Sequence, residues 1–167
     1  MVVAANLRIL MAGLGEIQVS SDPDVVLSCL GLGSCIGLCL YDPITKTAGV
    51  AHIVLPKSNG SISAGSIGKF ADTAVPYLIK EMAKQGALKS RLIAKMVGGA
   101  QLMKGQDGIA SLGIGPRNIE MTKQVLAMEG IKVAASEVGG NCGRSLKFEV
   151  STGTLTVKGI GGVPQVL

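Results

Sequence analysis

The sequence predicts an α+β domain with many short strands and two helices. Short apolar runs rich in Val, Ile and Leu recur along the chain between Gly, Pro, Asn and Asp residues, which is typical of strands joined by turns. Only residues 69–85 and 115–128 carry apolar side chains at helical spacing. A chain of 167 residues suffices for one domain with its own core, so we expect residues 1–167 to form a single domain.

The other predicted elements are strands and loops, read from the same pattern. The strands are expected at residues 6–12, 17–19, 25–30, 36–41, 47–55, 91–97, 131–138, 146–151 and 155–158. Ser- and Gly-rich residues 57–68 and residues 104–112 are expected to be loops. Pro76 lies inside the first helical segment, so that helix either begins near Thr73 or kinks at the proline. Pro116 is expected at the first position of the second helix, where a missing N–H costs nothing.

The strands at 36–41 and 47–55 are expected to form a hairpin, because Asp42-Pro43-Ile44-Thr45 has the composition of a tight turn. With a two-residue loop, the pairing would place Cys35 directly opposite His52. Opposed residues of an antiparallel pair share a face, with Cβ atoms about 4.5–5.5 Å apart. The prediction depends on register, since a slip of one residue would move His52 to the other face.

Cys35 and His52 are candidates for nucleophilic chemistry. Cys35 follows Gly31-Leu32-Gly33-Ser34, where backbone N–H groups can approach the sulfur and stabilise a thiolate or an oxyanion. His52, the chain's only histidine, would act as a general base and acid beside the thiol. The alternative is structural: a buried small cysteine and a hydrogen-bonded core histidine.

Charge and composition exclude several other classes of function. The net charge of +5 comes from basic residues scattered singly, with two Tyr, two Phe and no Trp, so we expect no nucleic-acid surface. The longest uncharged stretch, residues 25–41, is too short and too broken to span a membrane, and we expect a cytoplasmic protein without membrane insertion. The four cysteines are expected to be free thiols.

Metal and nucleotide sites are not expected either. Cys35 and Cys39, four residues apart on one strand, would have Cα atoms about 13 Å apart, too far to share one zinc ion. The glycines at 31, 33 and 37 resemble a dinucleotide-binding turn, but the apolar run after them favours a strand where that motif needs a helix.

Three further polar residues are candidates for positioning a substrate or, equally, for ordinary solvated surface. Arg117 lies at the start of the second helix, and Asn141 and Arg144 lie in a Gly-rich turn.

Several motifs together resemble the CheD family, the chemoreceptor glutamine deamidases of bacterial chemotaxis. They are GLGSC at 31–35, YDP at 41–43, AHIVLP at 51–56, GKFADTAVP at 68–76, GGAQLM at 98–103, IGPRNIE at 114–120 and VGGNCGRS at 138–145. The resemblance covers residues 13–162. It implies a cysteine hydrolase fold of the deamidase type, with a β-sandwich-like core and flanking helices, and it implies hydrolysis of receptor glutamines without metal or cofactor.

The resemblance also implies roles for individual residues. Cys35 matches the family nucleophile and His52 its base, while the GLGSC turn, including Gly33, would bind the substrate's oxyanion. The family typically has Thr six residues before the nucleophile, where this chain has Cys29, and a thiol is a poor acceptor for an imidazole N–H. Three alternatives remain open: Ser28 or Ser34 substitutes, a backbone carbonyl orients His52, or activity is reduced.

The implied partners are the cytoplasmic helices of chemoreceptors and a CheC-type phosphatase. A second hypothesis follows from the change at Cys29: the protein binds and regulates such a phosphatase with little or no catalysis. Cleavage of receptor methyl esters would use the same chemical steps as glutamine deamidation and also stays open.

Overall fold

The computed structural model describes residues 6–60, 62–102 and 113–167, which form ten strands, two α-helices and two short 3-10 helices. The strands are β1 Arg8–Met11, β2 Ile17–Ser20, β3 Val25–Leu32, β4 Ile36–Asp42, β5 Thr47–Ile53, β6 Ile93–Gly98, β7 Lys132–Val138, β8 Arg144–Glu149, β9 Leu155–Gly159 and β10 Gln165–Val166. The helices are α1 Ala71–Ala83 and α2 Ile114–Met128. This mixture confirms the predicted α+β class.

The strands form two five-stranded sheets. The first sheet has the order β1-β3-β8-β9-β10, and the second has the order β2-β5-β4-β6-β7. Pairing is antiparallel except between β1 and β3 and between β6 and β7. Parallel strands need a crossover connection between them. Here β2 lies between β1 and β3 in the chain, and α2 lies between β6 and β7.

The core has two layers, one on each side of the second sheet. Between the sheets lie apolar side chains of both, including Leu27, Leu146 and Phe148. On its other face the second sheet packs against both helices through residues such as Leu38, Leu78 and Leu126. A sandwich-like core with helices on one flank is therefore confirmed. The strands β4 and β5 are buried on both faces, which explains their near-continuous apolar sequence.

The β4–β5 hairpin forms as predicted, but its register is two residues away from the prediction. Asp42 pairs with Thr47 across a four-residue loop, Gly37 pairs with His52, and Ile36 pairs with Ile53. The predicted opposition of Cys35 and His52 is therefore wrong. Because side chains alternate with a period of two, a shift of two residues leaves both on the same face of the sheet.

Asp42 is the reason for the longer loop. Its buried carboxylate accepts hydrogen bonds from the backbone N–H groups of Ile44 and Leu88, 2.9 Å each, and it forms an ion pair with Arg91 at 2.6 Å. Burial alone would raise the pKa of Asp42, but these hydrogen bonds, with Arg91 foremost, hold it below its ordinary value. Asp42 therefore links the hairpin turn to the segment before β6.

The helices also differ in detail from the prediction. The first begins at Ala71 and includes Pro76 in its interior, and the second begins at Ile114, two residues before Pro116. The segment expected to be a loop at 57–68 contains a 3-10 helix, Ala64–Lys69. The other expected loop, at 104–112, lies outside the described residues. No helix among the described residues is long and apolar enough to cross a membrane.

Candidate active site

Cys35 lies in the short connection between β3 and β4, with 8% of its surface exposed. The strand end after β6 holds this connection through two backbone hydrogen bonds, from Gly99 N–H to the Cys35 carbonyl and from Ala100 N–H to the Gly33 carbonyl, both 2.8 Å. The sulfur therefore sits on a backbone that is fixed from the neighbouring strand.

Gly98 allows this close approach. It has φ of +108°, and a Cβ at this position would lie 2.2 Å from the Cys35 carbonyl oxygen. A side chain at residue 98 would be strained and would also push the nucleophile's backbone away. The GGA sequence at 98–100 is thus part of the structure that positions Cys35.

His52 lies on β5, 2% exposed, and faces the space between the sheets, because the opposite Gly37 position points at side chains of the first sheet. Its Nδ1 is 3.0 Å from the carbonyl oxygen of Ala12. A carbonyl can only accept, so Nδ1 carries a hydrogen, and the tautomer with its hydrogen on Nδ1 leaves Nε2 with a free lone pair. Nε2 is buried and has no hydrogen-bond partner among the described residues.

The structure brings Cys35 and His52 to one face of the hairpin as diagonal neighbours. Cys35 lies one residue beyond the last pair of the ladder, Ile36 with Ile53, and His52 lies one residue inside it. Gly37, directly opposite the imidazole, adds no side chain between them. No hydrogen bond joins Cys35 to His52 in the described part of the chain, so a rotation of the side chains has to precede proton transfer between them.

The thiols around the site are neutral at rest. Burial raises the pKa of Cys35 above its ordinary value. Burial, together with the nearby Cys35, raises the pKa of Cys29 to about 12. Cys29 is fully buried on β3 and belongs to the same layer between the sheets as Cys35. Its neutral thiol is a weak acceptor, as the sequence indicated.

The two serines occupy other positions. Ser28 is buried, and its hydroxyl donates to the Leu146 carbonyl at 3.0 Å. As the neighbour of Cys29 on β3, it points to the opposite face of the sheet. Ser34 is half-buried, and its carbonyl accepts a hydrogen bond from Asn118. The group that contacts His52 Nδ1 is therefore the Ala12 carbonyl, the backbone alternative among those considered from the sequence.

Asn118 is a residue that the sequence analysis did not single out. It is completely buried on α2, and its amide nitrogen donates to the carbonyls of Ser34 and Val54, at 2.8 and 2.9 Å. A signal was present in the sequence: Asn118 falls on the buried stripe of the helix, with Thr122 and Val125 at helical spacing. A polar residue on such a stripe needs an explanation.

The four residues predicted to bind substrate do not form one cluster. Gly33 and Arg144 line a cavity of about 450 Å³, whose described lining includes neither Cys35 nor His52. The Arg144 guanidinium donates to the carbonyls of Gly139 and Gly98, at 2.7 and 3.4 Å, and therefore also holds the strand end beside Cys35. Arg117 and Asn141 are exposed.

No group of three or more His, Cys, Asp or Glu side chains arranged for a metal ion occurs within the ranges that the structure describes. All four cysteines are unpaired with one another, and Cys142 is the exposed one.

Comparison with known proteins connects this geometry to a family. Residues 54–159 match the family model described as CheD chemotactic sensory transduction. A Caldanaerobacter subterraneus protein named probable chemoreceptor glutamine deamidase CheD is 45% identical over 154 residues, which are 92% of this chain and 94% of that protein. The chemoreceptor glutamine deamidase CheD of Thermotoga maritima is 42% identical, with the same shares of the two chains covered.

A solved structure with a similar arrangement is the hypothetical protein YfiH of Bacillus licheniformis, with a TM-score of 0.47 and 12% identity. The match covers 80% of this chain and 60% of the YfiH chain. The sequence relatives, by contrast, are matched over nearly their whole length, at an identity far above what fold similarity alone produces. The chain therefore belongs to the CheD family.

Proposed function

We propose that this protein deamidates glutamine side chains of chemoreceptors, with Cys35 as the nucleophile and His52 as the general base and acid. The observation that carries the proposal is the state of His52: its Nδ1 is held by the Ala12 carbonyl, and its buried Nε2 is an unused acceptor on the face that also bears Cys35. Membership of the CheD family supplies the substrate class. The deamidase names of the relatives favour an enzyme over a non-catalytic binding module.

The reaction begins with proton transfer. Because burial keeps the Cys35 thiol neutral, His52 Nε2 takes the thiol proton as the sulfur attacks the carboxamide carbon. The negative charge on the substrate oxygen is stabilised by backbone N–H groups of the GLGSC turn, which include those of Gly33 and Ser34.

The second half releases both products. His52 gives its proton to the departing nitrogen, the C–N bond breaks, and ammonia leaves a thioester on Cys35. The imidazole then removes a proton from water, which attacks the thioester, and the side chain leaves as glutamate with the thiol restored. No step needs a metal or a cofactor.

The experiment that tests the proposal is mass spectrometry of chemoreceptor cytoplasmic fragments incubated with the protein. Each glutamine converted to glutamate makes the fragment roughly one mass unit heavier, because OH replaces NH2 on the side chain. Incubation without the protein is the control. Receptor fragments whose masses and ammonia content stay equal to that control would rule the proposal out.

Cys29 provides a prediction about what orients His52. If the Ala12 carbonyl is sufficient to orient His52, Cys29→Ala is expected to keep the deamidation rate within about threefold of wild type. The loss of the buried sulfur should lower the free energy of unfolding by about 1 kcal/mol. Cys29→Thr, which restores the residue typical of the family, is the matched variant. A rate that falls about a hundredfold in Cys29→Ala and recovers in Cys29→Thr would assign the orienting role to residue 29 instead.

We also propose where the reaction takes place and which protein regulates it. We place the reaction in the cytoplasm, where the signalling helices of chemoreceptors lie. A CheC-type phosphatase is the proposed regulatory partner, and co-purification of the two proteins, with receptor helices as competitor, tests that binding. Arg117 and Asn141 remain proposed substrate contacts, because both are exposed.

A further inference from the structure

Asn118 connects the two chain segments that carry the proposed catalytic pair. Its amide nitrogen donates to the carbonyl of Ser34, the residue before the nucleophile, and to that of Val54, two residues after the histidine. Both acceptors are carbonyl oxygens, so the assignment of the amide is unambiguous: the nitrogen faces them. The buried Asn118 side chain thus forms one hydrogen bond with each of the two segments.

The position of Asn118 coincides with the open end of the hairpin. The last pair of the β4–β5 ladder is Ile36 with Ile53. Cys35 and Val54 lie directly beyond this last pair and are not part of the ladder. The side chain of Asn118 bridges the two segments at this point, where the backbone ladder no longer joins them.

The hydrogen bond to Ser34 determines the orientation of one peptide unit. The Ser34–Cys35 peptide is trans, so its C=O and N–H point in opposite directions. With the Ser34 carbonyl held toward Asn118, the Cys35 N–H points away from it. On the other side of the residue, Gly99 N–H holds the Cys35 carbonyl. Among the described residues, no acceptor is hydrogen-bonded to the Cys35 N–H.

The amide oxygen of Asn118 argues against a purely structural role for this side chain. Asn118 Oδ1 is buried and has no hydrogen-bond partner among the described residues. A buried polar group without a partner destabilises a protein, so its presence calls for a reason other than stability.

We infer that Asn118 is a positioning residue, which aims the Cys35 N–H at the oxyanion that forms when the sulfur attacks the substrate. The N–H of the nucleophile itself is a common donor to such oxyanions. The inference rests on the proposed deamidation and adds to it a residue on α2 that has no hydrogen bond to the imidazole among the described residues. The N-terminal end of α2 also packs closely against residues 99–100, because a Cβ at Gly115 would lie 2.5 Å from the Ala100 carbonyl oxygen and 2.6 Å from that of Gly99.

The test compares two reactions of Cys35 in the Asn118→Ala variant. Deamidation of a receptor fragment passes through an oxyanion, and we expect its kcat to fall about 10²-fold or more, with little change in KM. Alkylation of Cys35 by iodoacetamide forms no oxyanion, and we expect its rate to stay within about threefold of wild type. A loss of general structure would lower deamidation and also move the alkylation rate outside that range in either direction, which would contradict the inference.

Thr122→Val is the matched control, because Thr122 is equally buried one turn further along α2 and its hydroxyl also has no partner among the described residues. It is expected to leave both rates unchanged. If Asn118→Ala does not fold, Asn118→Ser, which can keep one hydrogen bond, should fold and lose about tenfold in kcat.

The outcomes separate the inference from the function on which it rests. An inactive wild-type protein would overturn both. An active wild type with equal deamidation by Asn118→Ala, or with deamidation and alkylation reduced in parallel, would overturn the role of Asn118 alone.

Discussion

Replacing Cys35 by alanine is expected to abolish deamidation, with a loss of about 10⁴-fold to 10⁶-fold in kcat, as removal of a catalytic nucleophile does in other hydrolases. No other cysteine can replace it: Cys29 and Cys39 are fully buried, and Cys142 is exposed in the turn before β8. The rate is measured by ammonia release from receptor fragments and by their mass. Binding of the fragment should persist, because only the sulfur has been removed.

Cys142→Ala is the matched control for this change. It removes the exposed thiol, which donates at 3.4 Å to the side chain of the neighbouring Asn141, a proposed substrate contact, and to neither Cys35 nor His52. We expect its rate to equal that of wild type. If Cys35→Ala kept a rate comparable to Cys142→Ala, the chemistry would not be that of a cysteine nucleophile, and the assignment of His52 would fail with it.

Asp42→Ala is expected to lower the free energy of unfolding more than Cys29→Ala or Asp22→Ala does. Asp42→Ala leaves the Arg91 guanidinium without its buried partner and leaves the N–H groups of Ile44 and Leu88 without acceptors. Breaking a buried ion pair from one side costs about 3 kcal/mol here, the low end of the usual range, because part of Arg91 still reaches water. Urea unfolding at neutral pH measures the difference.

The same carboxylate predicts a dependence of stability on pH. The pKa of Asp42 in the folded protein lies below its ordinary value of 3.8, so the ionised form is favoured by folding. Its contribution is fully present above that ordinary pKa and is lost as the pH falls through the lower folded pKa. The stability gap between wild type and Asp42→Ala should therefore be constant near neutral pH and shrink in strong acid.

The exposed pair of Asp22 with Arg8 is the control for this prediction. Water solvates both partners, so Asp22→Ala should change the unfolding midpoint very little. A gap of equal size for Asp22→Ala and Asp42→Ala would show that the effect comes from general charge and not from the buried pair. Activity should change little in either variant, since Asp42 lies at the end of β4 opposite to Cys35 and Asp22 lies before the start of β3.

Local sequence was sufficient for most of the secondary structure, because the physical causes are local. Apolar runs between turn residues predicted the main strands, and helical spacing predicted both helices to within a few residues. Two details of the structure differ from the prediction. Pro76 is accommodated inside α1 because packing of that helix against the second sheet outweighs local preference. The 3-10 helix Ala64–Lys69 overlaps the segment expected to be a loop, and of its residues only Gly68 is buried.

The register of the hairpin shows where local sequence stops being sufficient. A Pro-containing four-residue turn is compatible with several loop lengths, and the choice is made by Asp42, whose carboxylate binds Arg91, 49 residues further along the chain. The predicted register was wrong by two residues, an even number. Cys35 and His52 therefore still lie on the same face, although they are not directly opposite each other.

By itself, the sequence predicted that a cysteine after a glycine-rich turn and the single histidine would share one face of a hairpin in an α+β fold, and its motifs indicated the family. Only the tertiary structure decided what holds them: the Ala12 carbonyl on His52 and the Asn118 amide beside Cys35. The physical reason is that both contacts join residues 40 or more positions apart, and both use a backbone carbonyl oxygen, which every residue possesses. Helical spacing could mark Asn118 as a polar residue on a buried stripe, but only the packing of sheets and helices decides which groups it contacts.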